Sequence, residues 1–186
     1  MPRKSKRPRI EPLQPPYDEE TAAALELLGP PLQLFRVFAR RPELARGIAG
    51  WGHYYLSRRS ALSLRHRELV IDRATARCGA DYEWGVHVAV FAGKAGLSDD
   101  QLRSLATGSH ADPCWLDPGD RAVLRAVDEL HGSHDLSDDA WSGLVDAIGQ
   151  DGALEVTLLS GWYHAISYAV RALRLPLEPD TAPIPT

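Results

Sequence analysis

At 186 residues, with 44% hydrophobic and 25% charged residues, the chain has the length and composition of one soluble globular domain with a buried core. Five of the first nine residues are basic, which leaves a body with 16 basic and 25 acidic residues, and its net charge of −9 argues against nucleic acid as the main ligand. No apolar run approaches the ~18 residues of a membrane span, and the basic start lacks the apolar stretch of a secretory signal, so we expect a cytoplasmic protein without a membrane partner.

The two ends of the chain are rich in proline. Residues 1–17 carry prolines at positions 2, 8, 12, 15 and 16 and are predicted to be a disordered, basic tail. Residues 18–178 form the single predicted domain, and residues 179–186 form an extended C-terminal tail.

Between these tails, helical periodicity, N-cap residues and Gly–Pro stops predict helices and no strand. The predicted fold class is all-α, with about eight helices and no internal repeat. In chain order the predicted helices span 19–28, 32–39, 42–56, 64–78 behind a Ser63 cap, 82–94 behind an Asp81 cap, a short helix from Ser98, one from Asp117, one from Ser137 to Gly149, and a last helix over 151–173. On the helix over 64–78, the charged positions are expected to face water or partners: Arg65, Arg67, Asp72, Arg73 and Arg77.

Three residues on two of these helices form a candidate acid–base cluster. Glu83 and His87 are four residues apart, so they lie on the same face of one helix, and Glu68 lies on the preceding helix. Buried acids and bases carry perturbed pKa values, and a carboxylate next to an imidazole stabilises its protonated form. The pattern is compatible with a proton relay, and equally with a His–Glu hydrogen bond that joins two helices.

The residue pattern of this segment resembles that of a known protein family. Glu68 is followed, after eleven residues, by Ala80-Asp81-Tyr82-Glu83-Trp84-Gly85-Val86-His87, with Pro42-Glu43-Leu44-Ala45 before it and Ala95-Gly96-Leu97-Ser98 after it. This resembles the carboxymuconolactone decarboxylase family, which includes the alkyl hydroperoxidase D-type enzymes, over about residues 30 to 178. The cysteine pair of the hydroperoxidases falls on Ala80 and Glu83, so the chain is similar to members that lack the pair.

The resemblance implies an alkyl hydroperoxidase D-like fold, assembly into homotrimers or homohexamers, and an enzyme acting on a small organic acid or lactone. Glu68, Glu83 and His87 are the implied catalytic residues, with His87 as general acid/base. The expected substrate-binding residues are Tyr82, Trp84 and Arg73, and two further arginines, Arg65 and Arg67, are candidates to hold a carboxylate. No metal or cofactor is predicted, because the Glu and His spacing differs from that of di-iron bundles.

Two alternative functions stay open. A thiol-dependent hydroperoxide reductase would have to use Cys78, because Cys114 is the only other cysteine and is distant in sequence. A non-catalytic helical oligomer would use the acid–base cluster for structure alone. His131 and His134 are expected in a solvated loop, and His164 is expected either in the core or in the wall of a pocket.

Overall fold

The computed structural model describes residues 7–186, and within that range it contains eight α-helices and no strand, which confirms the predicted all-α class. Among those residues, no helix has the length and apolar character that crossing a bilayer demands. The helices are α1 (Glu19–Leu28), α2 (Gln33–Phe38), α3 (Pro42–Tyr55), α4 (Leu64–Arg77), α5 (Asp81–Phe91), α6 (Asp99–Thr107), α7 (Pro118–Ser133) and α8 (Asp138–Leu173).

Side-chain caps set most of the helix starts, as the sequence predicts. The side chains of Ser63, Asp117 and Ser137 accept hydrogen bonds from the first turns of α4, α7 and α8. The predicted cap at Asp81 is wrong, because Ala80 is the N-cap of α5. Asp81 is instead the first residue of the helix, and its carboxylate accepts a hydrogen bond from the backbone of the C-terminal tail.

The last helix contains one break. Gly149 has φ of 77° inside α8, in the left-handed region that favours glycine. Two helices were predicted here, one ending at Gly149 and one starting at residue 151, and the structure joins them into a single element with a kink at that glycine. The stop signal is therefore real, but the next helix begins immediately after it.

Helix α4 is the central element, because α5, α6, α7 and α8 all pack against it. Its apolar residues Leu69, Val70 and Ile71 join Trp115 and Leu144 in the largest hydrophobic cluster. This surrounded position corrects the prediction that the charged residues of α4 face water. Three of them are buried, namely Arg67, Asp72 and Arg73.

Residues 7–17, the described part of the predicted N-terminal tail, make contacts with the helices. The Arg9 N–H donates to the Leu173 carbonyl at 2.9 Å, and Leu13 packs beside α1 and contacts the end of α2. Proline removes a backbone donor and fixes φ, so it prevents a helix without preventing packing. The first six residues of the predicted tail lie outside the described range.

The C-terminal tail crosses the start of α5. The Glu178 carboxylate accepts a hydrogen bond from the Tyr82 hydroxyl and another from the Gln33 backbone, both at 2.5 Å. A Cβ at Gly85 would lie 2.8 Å from the Ala182 carbonyl oxygen, so only glycine permits this close approach. The tail thereby fixes Tyr82 and the first turn of α5, which precedes the acid–base cluster.

Candidate active site

Helices α4 and α5 bring the three predicted acid–base residues into contact. His87 Nδ1 lies 2.8 Å from Glu68 Oε2, and His87 Nε2 lies 3.5 Å from Glu83 Oε1. Glu68 has no exposed surface, and the side chain of His87 is 12% exposed. The imidazole is therefore held between two carboxylates.

A fourth member of the cluster comes from α8. The Tyr163 hydroxyl lies 3.0 Å from His87 Nε2, and the two rings meet edge to face. Tyr163 was not predicted as a site residue. It lies 76 positions from His87, and no local spacing rule connects two residues that only helix packing brings together.

The electrostatics of this cluster keep His87 protonated. Burial alone would lower its pKa, but the hydrogen bonds and negative charges of Glu68 and Glu83 outweigh burial and raise the pKa to about 10. At neutral pH the imidazolium donates from Nδ1 to Glu68 and from Nε2 to Tyr163. Burial, with the charges of Glu83 and Glu68, raises the pKa of Tyr163 well above its usual value, so its phenol stays neutral.

A further carboxyl group lies one turn beyond Glu68 on α4. Asp72 is completely buried, and neither of its side-chain oxygens has a hydrogen-bond partner among residues 7–186. Burial raises its pKa well above the usual value, and His87 opposes this only in part. Asp72 is therefore a neutral acid within the electrostatic field of His87 and Glu68.

An apolar cavity of about 250 Å³ has His87 in its wall. Its polar contributors include Glu83, His87, Tyr163 and Arg67. Most of its wall is aromatic or aliphatic, and the larger apolar residues are Phe35, Phe38, Trp51, Tyr55, Phe91 and Trp162. A small cavity with mostly apolar walls and a few converging polar groups is the usual form of a small-molecule site.

Arg67 is the cationic side chain that lines this cavity. Its Nε donates to Glu68 Oε1 at 2.7 Å, its Nη1 donates to the Tyr55 carbonyl at 3.1 Å, and its guanidinium lies 5.0 Å from the centre of the Phe91 ring. Its Nη2 has no hydrogen-bond partner within the described part of the chain. Arg67 is thus positioned by Glu68 and keeps donors free for a ligand.

The family model described as the Carboxymuconolactone decarboxylase family matches residues 42–129, which run from the start of α3 into the last turns of α7. Over these residues the chain is similar to the carboxymuconolactone decarboxylase family. The match confirms the predicted resemblance over the segment that supplies Glu68, Asp72, Glu83 and His87. Comparison with curated proteins found no significant match.

The three predicted substrate-binding residues lie in different places. Tyr82 lines the cavity, although its hydroxyl is already engaged by Glu178 and by the Leu34 N–H. Trp84 is buried in the main hydrophobic core and is not part of the cavity wall.

Arg73 lies outside the cavity, where it closes the far side of α4 against α6 and α7. Its five N–H donors are all used, by the Asp128 carboxylate and by the carbonyls of Ser104, Leu105 and Gly108. Arg65 is similarly held by Asp120. The expected role of Arg73 in binding a ligand is therefore not supported. Arg67, and not Arg73, is the arginine that lines the cavity.

Cys78 also lies away from His87, at the C-terminal cap of α4. It is buried against α8 and does not line the cavity. His131 corrects the prediction of a solvated loop, because it belongs to the last turn of α7 and contacts His164 of α8.

Proposed function

We propose that this carboxymuconolactone decarboxylase-family protein is an acid–base enzyme that acts on a small organic acid or lactone, with His87 as the proton donor. The observation that carries the proposal is a protonated imidazole, held between Glu68 and Glu83, in the wall of a small apolar cavity. A general acid in a water-poor cavity is the arrangement that protonation of a carbanion requires.

Arg67 is proposed to hold the substrate. A carboxylate of the substrate would pair with Nη2 and the remaining hydrogen of Nη1, while the carbon skeleton contacts the aromatic wall. Because Glu68 accepts hydrogen bonds from both Arg67 and His87, the anchor and the proton donor are fixed relative to each other by one carboxylate. This shared contact supports a substrate whose carboxylate lies near its reacting carbon.

The proposed reaction is decarboxylation of an acid whose electrons can be delocalised. The bond between carbon and the leaving carboxylate breaks, carbon dioxide departs, and the electron pair forms an enolate. His87 then donates its Nε2 proton to the carbon, and the neutral imidazole regains a proton from solvent. Glu68 keeps the ring in place through Nδ1 throughout, and Glu83 stabilises the charged form before and after transfer.

The test is turnover of 3-oxo acids and carboxylated lactones, followed by release of carbon dioxide. His87→Ala is expected to reduce kcat by roughly 10²–10⁴-fold while the helical circular dichroism is kept. Arg67→Met is expected mainly to raise KM, because it removes the anchor and leaves the acid.

His110→Ala is the matched control, because His110 lies in the loop between α6 and α7 and is not in the cavity wall. Full activity in His87→Ala would remove His87 from the mechanism. Absence of turnover with every substrate of both classes, in a folded wild-type protein, would favour the non-catalytic oligomer.

A second candidate, thiol-dependent reduction of hydroperoxides, has one observation in its favour. Cys78 contacts His164, and this contact raises the pKa of the imidazole, so a base is present beside the thiol. The cavity at His87 contains no cysteine in its wall. Consumption of an organic hydroperoxide with a thiol reductant, lost in Cys78→Ser and kept in Cys114→Ser, would establish this activity.

We also propose that the protein is a homo-oligomer that assembles through α8. Five apolar residues recur at helical spacing on the exposed side of this helix: Leu154, Leu158, Gly161, Ala165 and Tyr168. A continuous apolar stripe of this length is typical of an interface between helices. Leu158→Glu should lower the mass measured by light scattering, whereas Leu116→Glu, at an exposed residue away from α8, should not.

A further inference from the structure

A second cluster of reactive side chains lies where three helices meet, apart from the cavity at His87. Cys78 caps α4, His131 belongs to the last turn of α7, and His164 lies in the second half of α8. One atom from each, namely the thiol sulfur and one ring nitrogen of each histidine, lies within 4.8 Å of the other two. The three residues share no sequence motif, since 53 positions separate Cys78 from His131 and 33 separate His131 from His164.

The hydrogen bonds of His164 point its other nitrogen toward this cluster. His164 Nδ1 lies 2.8 Å from the Ser160 carbonyl one turn earlier, so it carries a hydrogen and donates it. Nε2 then presents a lone pair toward His131 Nδ1, at 2.9 Å. A ring nitrogen fixed by a backbone carbonyl, with the opposite nitrogen free to bind, is the arrangement of metal-bound histidines.

The backbone of Cys78 is also held in place by hydrogen bonds. Its N–H donates to the Ala74 carbonyl, and its own carbonyl accepts a hydrogen bond from the Arg171 guanidinium of α8. The thiol is buried, whereas both histidines are half-buried, so the cluster opens to solvent on the histidine side.

The chemistry of the three ligands selects the class of ion. One thiolate and two imidazoles suit borderline-soft divalent ions such as Zn²⁺ and Co²⁺, whereas Mg²⁺ and Ca²⁺ prefer oxygen. Zinc binds nitrogen at about 2.0–2.1 Å and sulfur at about 2.3 Å, which puts ligand atoms roughly 3.3–3.7 Å apart in a tetrahedron. The two ring nitrogens need to separate by only about 0.4 Å to reach that spacing.

We propose that Cys78 Sγ, His131 Nδ1 and His164 Nε2 bind a divalent ion of the zinc class, with the fourth tetrahedral position left for water or another ligand. The ion would tie the ends of α4 and α7 to α8. Three protein ligands with one open position are typical of zinc sites that activate a bound water. This site is independent of the reaction proposed at His87.

A second group of side chains could also bind a metal ion, but its members already have other partners. His66, Asp117 and Asp120 are also close together, but Arg65 already neutralises Asp120 and Asp117 caps α7. No comparable cation pairs with Cys78, His131 or His164 within the described residues. The Cys–His–His cluster is thus not neutralised by a cation, and an ion would displace only the thiol proton and the proton shared by the two histidine nitrogens.

The test is titration of the chelator-treated, reduced protein with Co²⁺. We expect one ion per chain, the visible absorption of tetrahedral Co²⁺ and a near-ultraviolet thiolate-to-cobalt charge-transfer band, all displaced by Zn²⁺. Cys78→Ser should remove the charge-transfer band, and His131→Ala and His164→Ala should each weaken binding at least about tenfold. Cys114→Ser and His110→Ala are matched controls and should bind as the wild type does.

A second measurement avoids variants altogether. In the wild-type protein, Zn²⁺ should slow alkylation of Cys78 by iodoacetamide, read by mass spectrometry, while Cys114 keeps its rate. A charge-transfer band that persists in Cys78→Ser, or an equal alkylation rate at Cys78 with and without Zn²⁺, would overturn the proposal. Oxidation of Cys78 by hydroperoxide that is indifferent to added Zn²⁺ would assign the thiol to redox chemistry instead.

Discussion

Two of the buried ion pairs of helix α4 differ in what lies beside them. Arg73 and Asp128 are joined by two contacts of 2.7 Å, and every donor of Arg73 is occupied by protein atoms. Glu68 and His87 are joined at 2.8 Å, and His87 also lies in the wall of the cavity, where its other nitrogen contacts the Tyr163 hydroxyl. Both Arg73 and Glu68 are buried, so burial alone does not distinguish a structural pair from a reactive one.

The difference lies in what surrounds each pair. Burial would raise the pKa of Asp128, but hydrogen bonds from Arg73 and Arg77 hold it below its usual value, so this carboxylate stays charged. The pair at His87 has a dissociable proton, a neutral neighbouring acid in Asp72 and an apolar cavity alongside. A saturated pair that is enclosed by protein stabilises the fold, whereas a pair beside a cavity can exchange a proton with a ligand.

The largest expected effect is a loss of stability when the saturated pair of Arg73 and Asp128 is broken. Arg73→Leu should lower the free energy of unfolding by about 3–5 kcal/mol, because it removes five hydrogen bonds and leaves Asp128 with Arg77 as its remaining cation. Denaturation in urea measures this. Arg103→Leu, which removes an exposed ion pair with Asp100, is the control and should change little. Equal losses in the two variants would contradict the structural role of Arg73.

The next effect is a pH dependence of stability caused by His87. Its folded pKa of about 10 exceeds the ordinary value of 6.5, so its contribution is complete below pH 6.5 and is lost as the pH rises toward 10. In His87→Gln this loss should disappear, a difference of several kcal/mol across that window. Thermal or urea denaturation at several pH values tests it, and parallel curves for the two proteins would refute the raised pKa.

A smaller effect in a separate window is expected from Asp72. Its folded pKa is raised, so the wild type loses stability as the pH rises above the ordinary value of 3.8. Asp72→Asn removes that titration, so the variant should gain stability relative to the wild type as the pH rises above the ordinary value. His87 stays protonated in both proteins over this range. A variant less stable than the wild type at pH 6 would show that Asp72 is charged.

The smallest effect is expected at Tyr163. Tyr163→Phe keeps the ring against His87 and removes one hydrogen bond, which costs about 1 kcal/mol of stability. If the hydroxyl also orients Nε2, kcat on a substrate of the proposed class should fall several-fold while KM is kept. The change in kcat is the decisive measurement, because a tyrosine with only a packing role would leave it unchanged.

Much of the fold followed from local sequence signals. Serine and aspartate caps set the starts of α4, α7 and α8, and the Gly149 stop produced a real break. The contact between His87 and Glu83 followed from a spacing of four residues, and Glu68 was reached through family resemblance. Such features depend on residues near each other in sequence, or on a motif that keeps its spacing.

Tertiary packing decided the rest. Periodicity places Arg67, Asp72 and Arg73 on the charged side of α4, yet four helices surround that element and bury all three. Tyr163 and the cluster of Cys78, His131 and His164 are assembled from helices far apart in sequence, and no local rule relates them. The amino-acid sequence by itself determined the helices and the pair within α5. The packing of the helices decided which charged groups are desolvated, because desolvation depends on neighbours in space. It therefore also decided which groups have shifted pKa values.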